Sequence, residues 1–300
     1  MRILLLGLGL ASGLAATAGA QGLREQAQQS FGPLPAAPEA TPALVELGRQ
    51  LFAAPLSADG SRSCLGCHDP AKGGADGQET ALGHAWQTAP RNISTVLNAA
   101  LNVTPSWDML DEVESPALSG LRAMGADAAR AAADPSLAPA LAAAYPGQEV
   151  ALPQLAEAID AYVATLLTPA PFDAWLQGDD AALTAEAQAG LQLFLERGCS
   201  FCHYGLNLGG DGYYPFGLVD AEGAQGYALG DTSDAGLDFR AAPLRNVALT
   251  APYFHSGKVA DLGVAVSVMA ESQLGAPLAP EETARIVAFL ESLTGAPPAP

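Results

Sequence analysis

All four cysteines of the 300-residue chain fall in two pentapeptides of one form, Cys64-Leu65-Gly66-Cys67-His68 and Cys199-Ser200-Phe201-Cys202-His203. A disulfide would explain the cysteines but not the histidine that follows each pair, and a redox dithiol fails for the same reason. One shared zinc site would need two distant pairs to converge and would leave His68 and His203 as coincidences. Covalent attachment of haem uses all three side chains. Two cysteines form thioethers to the porphyrin, and the histidine takes an axial position on the iron. The chain is therefore expected to carry two covalently bound haem c groups, one at Cys64, Cys67 and His68 and one at Cys199, Cys202 and His203.

The chain reads as a duplication around these motifs. Leu47-Gly48-Arg49-Gln50-Leu51-Phe52 precedes the first and Gly190-Leu191-Gln192-Leu193-Phe194 the second, while Gly73-Gly74 and Gly209-Gly210 follow. Each leading segment has a helix-start signal, Thr41 with Pro42 and Thr184 with Glu186. Leu44, Leu47 and Leu51, and then Leu183, Ala187, Leu191 and Phe194, recur at helical spacing. Each half closes on a matching i, i+3, i+4, i+7 stripe, Ile159, Tyr162, Val163 and Leu166 against Ile286, Phe289, Leu290 and Leu293. The expected fold is mostly α, with two cytochrome c-like haem domains in tandem. Thr168-Pro169-Ala170-Pro171 stops the first closing helix, and Phe172 to Asp180 bridges to the second half. The stretch from Ala126 to Ala144 reads as helix interrupted at Asp134-Pro135 and Ala138-Pro139, and Leu208 to Gly230 as a long loop.

Residues 1–20, with Arg2, an apolar run and Ala18-Gly19-Ala20, have the three parts of a signal peptide, so the mature protein is expected to be exported and soluble in the periplasm. The apolar run is short for a bilayer span, and no membrane span is expected after cleavage. The domains are expected at 21–170 and 171–300. A formal charge of −19 disfavours nucleic acid and anionic membranes. It favours a basic partner, although solubility alone would also account for it.

Only His84 and His255 remain as further histidines, and Met109, Met124 and Met269 as methionines beyond the leader. A methionine as second axial ligand suits electron transfer, whereas an open or displaceable position admits a small molecule.

Several further stretches carry a resemblance. Gly83-His84-Ala85-Trp86-Gln87, Pro90-Arg91-Asn92, Val96-Leu97-Asn98-Ala99, Leu244-Arg245-Asn246-Val247 and Pro252-Tyr253-Phe254-His255-Ser256-Gly257 resemble the bacterial di-haem cytochrome c peroxidase family. The relatives of that family include the di-haem maturation enzyme of methylamine dehydrogenase. The similarity runs over about residues 22 to 295 and includes Phe31-Gly32-Pro33-Leu34-Pro35 and Phe172-Asp173. It implies reduction of hydrogen peroxide to water with electrons from a small basic cytochrome c or cupredoxin. The C-terminal haem would be the high-potential, electron-receiving centre with Met269 as its sixth ligand. A core methionine on the Val264, Val268 face is the plain alternative. The N-terminal haem would be the low-potential, peroxide-reacting centre, with His84 as a ligand that leaves when the other haem is reduced. Trp107 would lie between the haems, core packing being the alternative, and His255 near the domain interface. Asn92, Thr250 and Pro252 match an interdomain calcium site of oxygen ligands. Whether the chain forms a homodimer is left open.

One departure stands out. The family's acid/base glutamate falls here on Arg122 or Ala123, with Glu112 and Glu114 close by in the sequence. Proton transfer to the leaving oxygen is worth about 10² to 10⁴ in rate. The alternatives are accordingly an electron-transfer or redox-sensing protein, or an oxidase acting on another substrate.

Overall fold

The computed structural model describes residues 22–37, 39–80, 91–108, 115–219 and 238–296. The proposed signal peptide, His84, Met109, Glu112 and Glu114 lie outside the described residues. No helix among the described residues is long and apolar enough to cross a membrane.

The described helices are α1 (22–30), α2 (Pro42–Ala53), α3 (Pro116–Ala123), α4 (Ala128–Ala133), α5 (Ala138–Ala144), α6 (Leu152–Val163), α7 (Pro171–Leu176), α8 (Ala185–Glu196), α9 (Leu262–Leu274) and α10 (Pro280–Glu291). The leading helices start where the sequence signals it. Thr41 Oγ1 accepts the Leu44 N–H and Thr184 Oγ1 accepts the Ala187 N–H, so each cap satisfies a donor that the first turn leaves over.

In each half the leading helix crosses the closing helix at a glycine. A Cβ on Gly48 of α2 would sit 1.9 Å from the Ala158 carbonyl oxygen of α6. On Gly190 of α8 it would sit 1.8 Å from the Arg285 carbonyl oxygen of α10. Only hydrogen at these positions lets the backbones come so close, and the apolar stripes then meet. Leu47, Leu51 and Phe52 bury against Leu155 and Ile159, and Leu191 and Phe194 against Ile286, Phe289 and Leu290. Each such side chain contributes about 1.5–3 kcal/mol by leaving water. Leu44 is only half-buried, and Leu183 precedes the α8 cap.

Leu166 and Leu293 lie just past α6 and α10, where their backbone carbonyls take up matching partners. Asn98 N–H donates to Leu166 O at 2.9 Å and Asn246 N–H to Leu293 O at 3.1 Å. Both asparagines adopt left-handed backbone, φ 57° and 61°, a conformation Asn tolerates better than most residues. Their side chains converge on one buried hydroxyl. Asn98 Nδ2 and Asn246 Nδ2 donate to Thr168 Oγ1 at 2.8 and 2.7 Å.

Helix α1 is part of residues 21–170 by sequence, yet its side chains pack in the other half. Ala27 and Phe31 belong to the core of Phe172, Trp175, Leu191 and Phe289, and Arg24 Nε donates to Trp175 O at 2.6 Å. An apolar stripe specifies a face to bury, not the half that covers it.

The linker differs in a related way. Pro171 starts α7, because a helix's first position needs no N–H donor. Phe172 and Trp175 of α7 are fully buried. Pro139 likewise opens α5 instead of interrupting it, whereas Asp134, whose carboxylate accepts the Ser136 N–H at 2.8 Å, does end the preceding helix. Within the stretch expected as loop lies β1 (Tyr213–Pro215), which pairs antiparallel with β2 (Asp238–Arg240) beyond it, Tyr213 opposite Arg240. The strip 106–108 from the first half joins them through an Asp108–Phe239 bridge and an Arg240 N–H···O=C Trp107 bond of 2.9 Å.

Candidate functional site

The two pentapeptides adopt the same local structure. Each forms a tight 3₁₀ turn, Cys64–Gly66 and Cys199–Phe201. The histidine N–H closes each turn onto the first cysteine's carbonyl, at 2.9 Å for His68 and 3.0 Å for His203. Positions i, i+3 and i+4 of a helical turn share a face, so Cys, Cys and His point together. The intervening Phe201 points outward, 82% exposed. No disulfide joins the cysteines. Burial pushes the Cys64 and Cys199 thiols up to about 11, which is unlike the acidic thiol of a redox dithiol.

Both imidazoles are held in one tautomer. The His68 Nδ1 lies 3.3 Å from Gly74 O and the His203 Nδ1 lies 3.0 Å from Ala242 O. A carbonyl can only accept, so the ring proton sits on Nδ1 and the Nε2 lone pair is left for a metal. Burial lowers both pKa values, keeping the rings neutral as ligation requires.

In the C-terminal half Cys199, Cys202, His203 and Met269 line one cavity with Trp107, Arg240 and His255. It encloses about 1320 Å³ of empty space, part of it open to solvent, and its remaining wall is apolar, with Phe194, Leu244, Val266 and Leu290 among the side chains. Close-packed interiors leave few voids larger than a water molecule. A hollow of this size above two cysteines and a neutral histidine fits a large planar group. Haem suits the donor set, imidazole and thioether towards iron with thiols placed for thioether bonds.

Met269 lines the cavity with Leu262, Ala265, Val266 and Gln273 of α9; of the two valines on the alternative core face, Val264 is exposed and Val268 buried. Trp107 is half-buried in the cavity wall, its Nε1 donating to Asn92 O at 2.7 Å and its ring lying under the Arg240 guanidinium at 5.3 Å. His255 is buried and stacks on Phe239, ring centroids 3.9 Å apart.

Cys64, Cys67 and His68 sit together in the N-terminal half, and His84 is outside the described residues. Asn92 lies against the segment that follows Thr250 and Pro252. Its N–H donates to His255 O at 2.8 Å, and its Nδ2 donates to Gln78 O at 2.8 Å, which leaves Oδ1 available as an acceptor. Arg122 and Ala123 are exposed on α3, which buries Leu118 and Leu121 instead.

Two features escaped the sequence reading. Arg240, in the cavity wall, carries no motif signal. Asp173 and Arg245 each fell within a recognised stretch, but nothing in either stretch announces that they pair.

Residues 42–181 match the family described as di-haem cytochrome c peroxidase. The chain is 44% identical to the cytochrome c551 peroxidase of Pseudomonas aeruginosa, over 84% of this chain and 79% of that protein. It is 35% identical to the cytochrome c551 peroxidase of Nitrosomonas europaea, over 85% and 81%. Among solved structures it resembles a MauG-like protein associated with microbial copper homeostasis, with a TM-score of 0.72 and 26% identity over 88% and 93% of the two chains. The fold and these similarities define a di-haem cytochrome of the peroxidase and MauG-like class. The chain belongs to the di-haem cytochrome c peroxidase family, whose members hold two haem groups, and is an oxidoreductase of that class.

Proposed function

We propose that this protein reduces hydrogen peroxide to water in the periplasm, drawing electrons from a small basic cytochrome c or cupredoxin. The observation that carries the reading is the cavity shared by His203, Met269 and Trp107. It is supported by a second Cys-x-x-Cys-His turn of the same build, ending at His68.

Two haems, when bound, supply one-electron chemistry, and H₂O₂ + 2 e⁻ + 2 H⁺ → 2 H₂O needs two such electrons. The protein's own residues do the rest. Cys64 and Cys67, and Cys199 and Cys202, would hold the groups by thioether bonds, and His68 and His203 would bind their irons, with the Gly74 and Ala242 carbonyls fixing the tautomers. Met269 would be a second ligand at the C-terminal, high-potential site, and His84 a displaceable one at the N-terminal, low-potential site. Trp107 would lie between the sites, and Asn92, Thr250 and Pro252 would hold a calcium ion through oxygen atoms. The charge of −19 steers a basic donor towards the molecule.

A second reading is favoured by one observation. Arg122 and Ala123, where the family's glutamate would fall, are exposed and offer no acid/base group. Redox sensing, or oxidation of another substrate, would dispense with that group. Stopped-flow mixing of half-reduced protein with peroxide separates the readings. Rapid reoxidation supports the peroxidase; ligand binding without reoxidation supports the second reading.

A further inference from the structure

Arg240 ends β2, with its N–H bonded to Trp107 O and its guanidinium inside the protein, where the residue is only 4% exposed. Its Nη1 donates to Thr104 O and Pro105 O at 3.1 and 2.9 Å, and its Nη2 donates to Ser94 Oγ at 2.8 Å. All three acceptors are neutral. The remaining donor, Nε, is buried and meets no protein acceptor, although the residue lines the C-terminal cavity.

A buried cation without an anion is costly, since its lost hydration is not replaced. Burial, partly offset by the Tyr213 phenol, pulls the Arg240 pKa down to about 10. Arg245 shows how the same fold treats an equally buried guanidinium, pairing it with both oxygens of Asp173. No carboxylate among the described residues pairs with Arg240, and the nearest acid on the adjoining strip, Asp108, is bonded to Arg91 at 3.1 Å. An anion held in the cavity that the residue lines would meet this charge.

We propose that Arg240 binds a propionate carboxylate of the haem in the C-terminal cavity and thereby positions that edge of the haem against Trp107. The proposal rests on the reading that a haem occupies this cavity. It places Arg240 between the cavity and the Trp107 strip: the residue lines the cavity, its guanidinium lies 5.3 Å from the Trp107 ring, and Nη2 donates to Ser94 Oγ. Arg240 is a positioning residue and touches neither iron ligand in these contacts.

The test uses the haem-loaded full chain with Arg240→Gln and Arg240→Lys. The readout is the midpoint potential of the C-terminal haem, with spectra confirming that Met269 ligation persists. Removing the positive charge disfavours the reduced centre, so Arg240→Gln lowers the potential. It shifts the equilibrium with a donor of fixed potential by roughly tenfold, the scale of one charge-assisted hydrogen bond. Arg240→Lys, which keeps the charge but not the fork, lies between. An unchanged potential in Arg240→Gln overturns the proposal, as does an equal fall in Arg240→Lys. If Arg240→Gln does not accumulate, Arg240→Lys decides alone: a fall of less than about tenfold in the donor equilibrium supports the proposal, and the wild-type value or the full tenfold fall sinks it. Haem mapping of the wild type keeps the underlying reading separate. No haem on the Cys199–Cys202 peptide would refute occupancy of the cavity, whereas a haem there with an unmoved potential refutes only the role of Arg240.

Discussion

Arg245 and Asp173 form a two-pronged ion pair at 2.8 and 2.9 Å, with the guanidinium fully buried and the carboxylate 4% exposed. The pair is saturated from both sides. Asp173 also accepts the Leu34 and Ala170 N–H groups, at 2.9 and 2.8 Å, and Arg245 donates to Leu206 O and Gly32 O at 2.6 and 3.2 Å. It thus ties the segment after α1, the linker helix and the loop after the second haem motif into one knot. Removing one partner leaves the other charge buried alone. Asp173→Asn or Arg245→Met is expected to cost about 3–5 kcal/mol, with the double replacement costing less than the sum of the two. Urea unfolding of the four proteins measures this; additive losses would show that the pair is not coupled.

The two helix crossings should tolerate no side chain. Gly190→Ala places a methyl group 1.8 Å from the Arg285 carbonyl oxygen and forces α8 from α10. A loss of about 1–3 kcal/mol or more is expected, as for overpacking generally, and Gly48→Ala should behave alike at the α2–α6 crossing. Thermal melting checks both. A substitution at the exposed Ala185 of α8 serves as the comparison and should change little.

Met269 is the residue through which α9 presents a thioether to the C-terminal cavity. Met269→Ala is expected to lower the potential of that haem, because the thioether favours reduced iron. The N-terminal haem should keep its spectrum. Redox titration with optical detection gives both readings; a surviving methionine-ligated signal would assign the ligand to Met109 or Met124.

If His84 is the displaceable ligand proposed above, the N-terminal site should respond to the charge state of the other. One-electron reduction is expected to convert that haem from low-spin to high-spin, after which it binds small ligands that the oxidised protein excludes. His84→Ala should bind them without prior reduction. Electron paramagnetic resonance during a cyanide titration reports both, and a low-spin N-terminal haem throughout half-reduction would leave no gate.

Local chemistry made part of this architecture legible. Thr41 and Thr184 cap helices where short polar side chains precede apolar stripes, and the two Cys-x-x-Cys-His turns announce their own ligand. Partnership across the molecule was less visible. Ala27 and Phe31 are covered by residues far along the chain, which nothing in their own segment announces. The strands Tyr213–Pro215 and Asp238–Arg240 are too short for a period to emerge, so the first reads as loop and the second carries no signal of its own. Pro139 and Pro171 were taken as breaks because proline ends a helix and starts one equally well, and the choice rests on the turn beyond.

The place of α1 bears on the order of assembly. Ala27 and Phe31 precede in the chain the distant residues that bury them, and that core cannot close without Phe289 and Leu293. The first half, by contrast, finds the partners of Leu47 and Leu51 within its own span, ending at Ile159. The His68 half can therefore gather its core from a contiguous stretch, while α1 stays uncovered until the second half has arrived.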